Sequence, residues 1–394
     1  MPKEFRKKLL LKSCFRLAFI NHLRLLIETS KNRIFGLDVL RATAILMVVS
    51  SHILWIYPKS NALISTILEL FGFWGVELFF VLSGFLIGSI LYQAYCSSTF
   101  TLSSIFYFLK RRWFRTLPNY YLVLLLNILI SLFIGYQIKN VGLYFFFLQN
   151  FLGKAPAFFP ESWSLSVEEF SYLLLPLVLF LGTFGVVKNK SKRFLILVFS
   201  FFLFFLLTKI FFNATQTVFN LSQWNTNLKS VVMYRIDAVL FGVLAAWIRF
   251  NYEEFWKKYT MQFTFLGIGI FCFLLFGITS SNLRIEQSPF FWNVVYLPLT
   301  SFGFSCFFPF FSNWKTSNSW LKFPVEFTSK ISYSIYLLHY SVILQLLKYF
   351  VDTTVLSTIE KHLFTFCYLV ITFLMAYILY RFYEKPILNW RDKH

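Results

Sequence analysis

The chain has 394 residues, of which 58% are hydrophobic, 22% aromatic and only 14% charged, and its mean hydropathy is +0.64. Soluble domains carry about 25% charged residues, so a water-facing globular surface is excluded, as are a disordered chain and a disulfide scaffold. The formal net charge is +20, which in a soluble protein would suggest nucleic acid; in a membrane protein it reports instead which loops stay in the cytoplasm.

The apolar runs are continuous and close to twenty residues, not alternating ten-residue strands, so the expected class is an all-α polytopic membrane protein. Residues 1–33 are basic and mildly amphipathic, and read either as a cytoplasmic helix lying on anionic headgroups or as a loose basic tail. They lack the uninterrupted apolar stretch and cleavage site of a secretory signal. Ten transmembrane helices are expected at 37–57, 72–93, 118–136, 166–187, 194–212, 230–249, 262–280, 289–311, 331–350 and 363–381. A shorter apolar piece, 141–152, is expected to be re-entrant or interfacial. The membrane domain so delimited is 34–386, followed by a short tail, 387–394. With the N-terminus inside, 27 of the 37 basic residues fall on the cytoplasmic side and eight on the outer side, the last two lying within spans. That asymmetry supports both termini being cytoplasmic. The five Cys residues show no CxxC spacing, and no metal is implied.

Ionisable side chains inside spans are costly and mark function by default. Arg41 and His52 are eleven residues apart on the first span, about three turns plus 20°, so they share a helix face about 16 Å apart along the axis. The plainer readings are a snorkelling arginine and an interfacial histidine. Glu77, near the outer end of the second span, is expected at the depth of His52, where a carboxylate would orient the imidazole. Ser83-Gly84 reads as close helix packing in preference to a nucleophile. Arg112-x-x-Arg115-x-x-Pro118 places two guanidinium forks one turn apart before the third span, suited to phosphate or pyrophosphate, although ordinary cytoplasmic charge would look the same. Trp163-Ser-Leu-Ser-Val-Glu168-Glu169 opens the fourth span. Arg235 and Asp237 open the sixth on different faces, so each needs its own partner, with Glu168 or Glu169 a candidate for Arg235. His339, near the middle of the ninth span, reads as a relay or ligand contact, or as a core histidine bonded to a neighbouring helix.

Taken in order, these segments resemble the membrane acyltransferase 3 family, the O-acyltransferases that decorate bacterial surface glycans. The matching stretches are Leu-Asp-Val-Leu-Arg41 with His52 eleven residues on, Gly75–Phe85, Arg112–Pro118, Trp163–Glu169, Arg235-Ile-Asp237, Ile331–His339 and Glu384-Lys-Pro386. Any one is weak; seven in order are specific. Phe170-Ser171 depart from the Gln-Phe usual in the family, and the hydrolase-like domain fused to some members is not seen. The resemblance implies a cytoplasmic acetyl-CoA donor and, as acceptor, a sugar hydroxyl of a surface or lipid-linked saccharide, with lipopolysaccharide O-antigen foremost. It also implies residence in the bacterial inner membrane. Arg112 and Arg115 would bind the coenzyme phosphates. His52, oriented by Glu77, would deprotonate the acceptor hydroxyl, and Arg41 or Arg235 would stabilise the oxyanion, with Glu168 nearby toward the outer side. A transporter or flippase of a lipid-linked saccharide remains the alternative, because polar groups facing a bundle interior also suit a transport path. The lack of an inverted repeat and the one-sided arginine pair weigh against it.

Overall fold

The computed structural model describes residues 33–57, 63–97, 100–135, 137–154, 158–185, 187–216, 220–281 and 283–393. Apart from Arg33, the basic N-terminal segment lies outside the described residues. The helices that place the site are α1 (Phe35–His52), α2 (Leu63–Ser97), α3 (Leu102–Ile134), α4 (Ser162–Leu181), α5 (Lys190–Thr215) and α6 (Ile236–Asn251). They are followed by α7 (Thr260–Cys272), α8 (Tyr296–Ser305), α9 (Lys322–Leu338) and α10 (Thr358–Leu379). Among the described residues there is no strand. Every stretch expected to span coincides with one of these helices, and among the described residues eight helical stretches are long and apolar enough to cross a bilayer. The other two are α6, which has 16 residues and carries Asp237, and α9, which carries Glu326 and Lys330.

Three helices start well ahead of their expected spans, α2 at Leu63, α3 at Leu102 and α9 at Lys322 against 72, 118 and 331. Helix α2 has 35 residues and α3 has 33, well beyond the twenty or so that a hydrocarbon core requires. Helix α3 begins at a capping box in which Thr101 and Ser104 satisfy each other's backbone, and it stops at Gly135, whose φ of 87° few side chains tolerate. Arg112 and Arg115 therefore sit on a continuous helix and not in a loop, and Pro118 lies inside it. The helix continues through the proline, and tyrosines of neighbouring segments bond carbonyls beside it. Tyr333 donates to the Thr116 carbonyl at 2.8 Å and Tyr383 to that of Pro118 at 3.4 Å.

Helix α2 is the hub of the bundle, packing on α1 and α6, and about two thirds of its span is buried. Small residues make the α2–α6 crossing possible. A Cβ at Gly84 would strike the Val239 carbonyl, and one at Gly242 would strike that of Val81, so the two backbones touch. Residues 141–152 do not span. One short helix, Val141–Phe145, leads into turns, with Phe147 at a φ of 59°. This irregular backbone is held by side chains. Asn150 donates to the Trp163 and Ser230 carbonyls at 3.0 and 2.7 Å, and Gln149 donates to Ser166 at 2.8 Å. The starts of α4 and α6 are thereby fixed to one another.

Candidate active site

Two cavities lie one beyond the other inside the bundle. The first, of about 130 Å³, is lined by Arg41 of α1, Ser83 of α2, Arg112 and Arg115 of α3, Glu168 and Tyr172 of α4, and Ser332, Tyr333 and Tyr336 of α9. Three arginines thus share one space. Arg41 lies 3.6 Å from Asp38, a carboxylate it shares with Arg33 and with the Ser329 hydroxyl, which donates to it at 2.6 Å. Arg112 rests over the rings of Phe108 and Tyr172, at 5.7 and 6.0 Å. Among the described residues no carboxylate lies within ion-pair distance of Arg112 or Arg115. Two half-buried guanidinium groups that make no ion pair within 4 Å and face a cavity, with Glu168 also in its lining, offer charged donors to an anionic ligand.

The second cavity, of about 220 Å³, is lined by Ser51 and His52 of α1, Glu69 of α2, Glu161 and Trp163 at the start of α4, Lys229, and His339 after α9. Val76 and Tyr336 line both cavities and form the wall between them. Within this second space His52 Nδ1 lies 2.8 Å from the Val48 carbonyl and 3.3 Å from His339 Nε2. His339 Nδ1 in turn lies 2.8 Å from the Tyr336 carbonyl. A carbonyl accepts only from N–H, so both rings carry their proton on Nδ1. His52 Nε2 keeps a lone pair and makes no hydrogen bond among the described residues. The His52 ring is also packed edge-on to His339 and tilted against Tyr340, with centroids 4.7 and 4.6 Å away. His339 is the first residue of a π-helical turn, His339–Leu344, that follows α9.

Several expected contacts are corrected. Glu77 does not orient His52. Its carboxylate is fully buried, paired with Arg235 and bonded by the Ser301 hydroxyl. Arg235 accordingly pairs with neither Glu168 nor Glu169. Asp237 does have a separate partner, the buried ammonium of Lys209. The depth cluster of His52, Glu77, Glu168 and Arg235 is divided three ways. His52 faces the second cavity. Glu168 faces the first, where it accepts from Tyr172 at 3.2 Å while Tyr172 and Ser83 bond at 2.6 Å. The Glu77–Arg235 pair lines neither. Arg41 shares the cavity of Arg112 and Arg115 and not that of His52. The reason is common to all of these: helix phase and depth are legible along one helix, but the order of helices around the bundle is not.

Glu161 and Lys229 were missed, the first because it precedes the span and the second because it looked like a loop charge. Burial raises the Glu161 carboxyl to about 7, against the lowering effect of the Ser341 side chain. Burial, with Arg235 nearby, lowers the Lys229 ammonium to about 8. An acid two residues ahead of Trp163 was the signal available for Glu161.

Known proteins resemble the chain over most of its length. O-acetyltransferase OatA of Staphylococcus aureus strain NCTC 8325 is 26% identical over 390 residues, covering 89% of this chain and 57% of its own, and OatA of strain COL matches to the same extent. The chain therefore spans little more than half the length of these relatives. No solved structure matches it. Residues 34–381 match the family model Acyl_transf_3, the acyltransferase domain, and the chain belongs to that family.

Proposed function

We propose that the chain is a membrane O-acetyltransferase that moves acetyl from cytoplasmic acetyl-CoA to a sugar hydroxyl of a cell-surface or lipid-linked saccharide on the opposite face of the bacterial inner membrane. The observation that carries this reading is the pair of adjoining cavities, one holding Arg41, Arg112 and Arg115 and the other holding His52, divided only by Val76 and Tyr336. The cytoplasmic placement of the arginines rests on the inward bias of basic residues. In this reading the three arginines take the coenzyme's phosphates, so Arg41 belongs to the donor clamp and not to an oxyanion site beside His52.

His52 Nε2 removes the proton of the acceptor hydroxyl as its oxygen attacks the thioester carbonyl carbon. Lys229, in the same cavity, supplies positive charge for the oxyanion that develops. The carbon–sulfur bond then breaks, and the thiolate recovers the proton from the His52 imidazolium, leaving an O-acetyl ester and free thiol. His339 and the Val48 carbonyl fix the tautomer that makes Nε2 the base. Glu77 and Arg235 act at one remove by holding α2, α6 and α8 together.

The test is mass spectrometry and NMR of surface glycans from cells carrying the intact chain, its deletion or His52→Ala, with lipopolysaccharide O-antigen assayed first. Purified protein is incubated in parallel with labelled acetyl-CoA. Acetyl lost alike in both mutants supports the reading and names the acceptor. Unchanged acetylation with altered amounts of glycan would favour the transport alternative.

A further inference from the structure

The second cavity holds a buried carboxylate that the reaction above does not use. Glu161 is only 5% exposed, and its Oε1 is doubly held, accepting from the Ser341 amide at 3.0 Å and from the Ser341 hydroxyl at 2.6 Å. Its Oε2 is buried and makes no hydrogen bond among the described residues. A buried carboxylate oxygen without a donor is unusual enough to need an explanation. The backbone around it is fixed too, since Tyr336 donates to the Glu161 carbonyl at 3.1 Å.

The fixing of Glu161 is linked to that of His52. The π-helical turn that begins at His339 sets His339 against His52 and, two residues later, sets Ser341 on Glu161, while the ring of Tyr340 between them packs on His52. One short segment therefore sets both side chains in relation to the same space. π-helical turns of this kind recur at functional sites.

We propose that Glu161 is an acceptor-positioning residue, its Oε2 taking a hydrogen bond from a second hydroxyl of the saccharide whose reacting hydroxyl meets His52. This rests on the acyl-transfer reading. It narrows the acceptor to a polyol presenting two hydroxyls at once, one for the base and one for the carboxylate. A hydrogen bond to a charged group contributes enough for its loss to be read as a change of about tenfold or more.

The experiment uses the purified full chain with labelled acetyl-CoA and, as acceptor probes, p-nitrophenyl glycosides together with their monodeoxy analogues. The wild-type protein is expected to transfer acetyl to at least one glycoside and to lose about tenfold or more in kcat/KM with one monodeoxy analogue. Glu161→Gln keeps an oxygen for Ser341 and turns an amide N–H toward the acceptor. It is expected to raise the acceptor KM about tenfold and leave the acetyl-CoA KM within about twofold, while Glu161→Ala, which leaves nothing to bond the second hydroxyl, treats that analogue and its parent alike. Glu161→Ala is the harsher variant, and thermal melting of both separates misfolding from lost recognition. Equal discrimination by the wild type and a folded Glu161→Ala overturns the assignment while leaving acyl transfer intact. No transfer by the wild type to any probe overturns the acyl-transfer reading and the Glu161 assignment together.

Discussion

The arginine cavity and the Glu77–Arg235 cluster contain the same kinds of side chain, yet they have solved the cost of charge in a membrane in opposite ways. In the cluster, Glu77, Arg235, Ser301, Lys209 and Asp237 are fully or almost fully buried, and each charged group has its counter-charge on another helix. In the cavity, Arg112 and Arg115 remain half-buried and make no ion pair within 4 Å, although Glu168 lines the same space. A charge spent on a neighbouring helix holds the bundle together; a charge left facing a cavity is available to a ligand. Burial alone does not separate the two, and the partner does.

The sharpest way to break that comparison is at the second cavity. His52→Ala is expected to lower acetyl transfer by about a hundred- to ten-thousand-fold, the range for loss of a general base, with an unchanged thermal midpoint. Glu77→Ala should do the reverse. Removing one partner of a buried pair costs about 3–5 kcal/mol, to be read as a lower midpoint and less folded protein in detergent. If Glu77→Ala instead kept its stability and lost only turnover, the cluster would belong to the chemistry. Arg115→Ala should raise the KM for acetyl-CoA about ten- to a hundredfold with little effect on the acceptor KM or on melting, because it removes hydrogen bonds to a charged ligand and no internal ion pair. Smallest is Gly84→Ala, which forces α2 away from the Val239 carbonyl of α6. A loss of about 1–3 kcal/mol is expected from overpacking, visible in melting before it is visible in turnover.

Much of this was legible in the amino-acid order, and the part that was not has a physical explanation. Hydropathy put a helix in every stretch expected to span, eight of them long and apolar enough to cross among the described residues, and helical periodicity placed Arg41 and His52 on one face. The Gly84 reading followed from the need of small residues for close backbone approach, and the distinct partners of Arg235 and Asp237 followed from their angular offset. Pairings between helices were out of reach. Glu77 finds Arg235 across 158 positions and Ser301 across 224, and nothing along either helix reports which neighbour it will meet. His339 shows the same limit, since its contact with His52 depends on α9 lying beside α1. Both ends of α2 and the start of α3 were placed too far in because hydropathy measures what lipid covers, whereas a helix runs from cap to cap, as α3 does from its capping box at Thr101.

The wall formed by Val76 and Tyr336 has a further consequence. An energised bilayer drives each elementary charge with about 2.3 kcal/mol per 100 mV, and two polar cavities joined end to end would be a wire for protons. Both residues of the wall are buried, at 6% exposure each, and one of them offers only hydrocarbon. In the acyl-transfer reading proposed above, this apolar partition separates the two polar cavities electrically whenever the donor arm is not threaded past it to His52, so that the membrane keeps its voltage between turnovers.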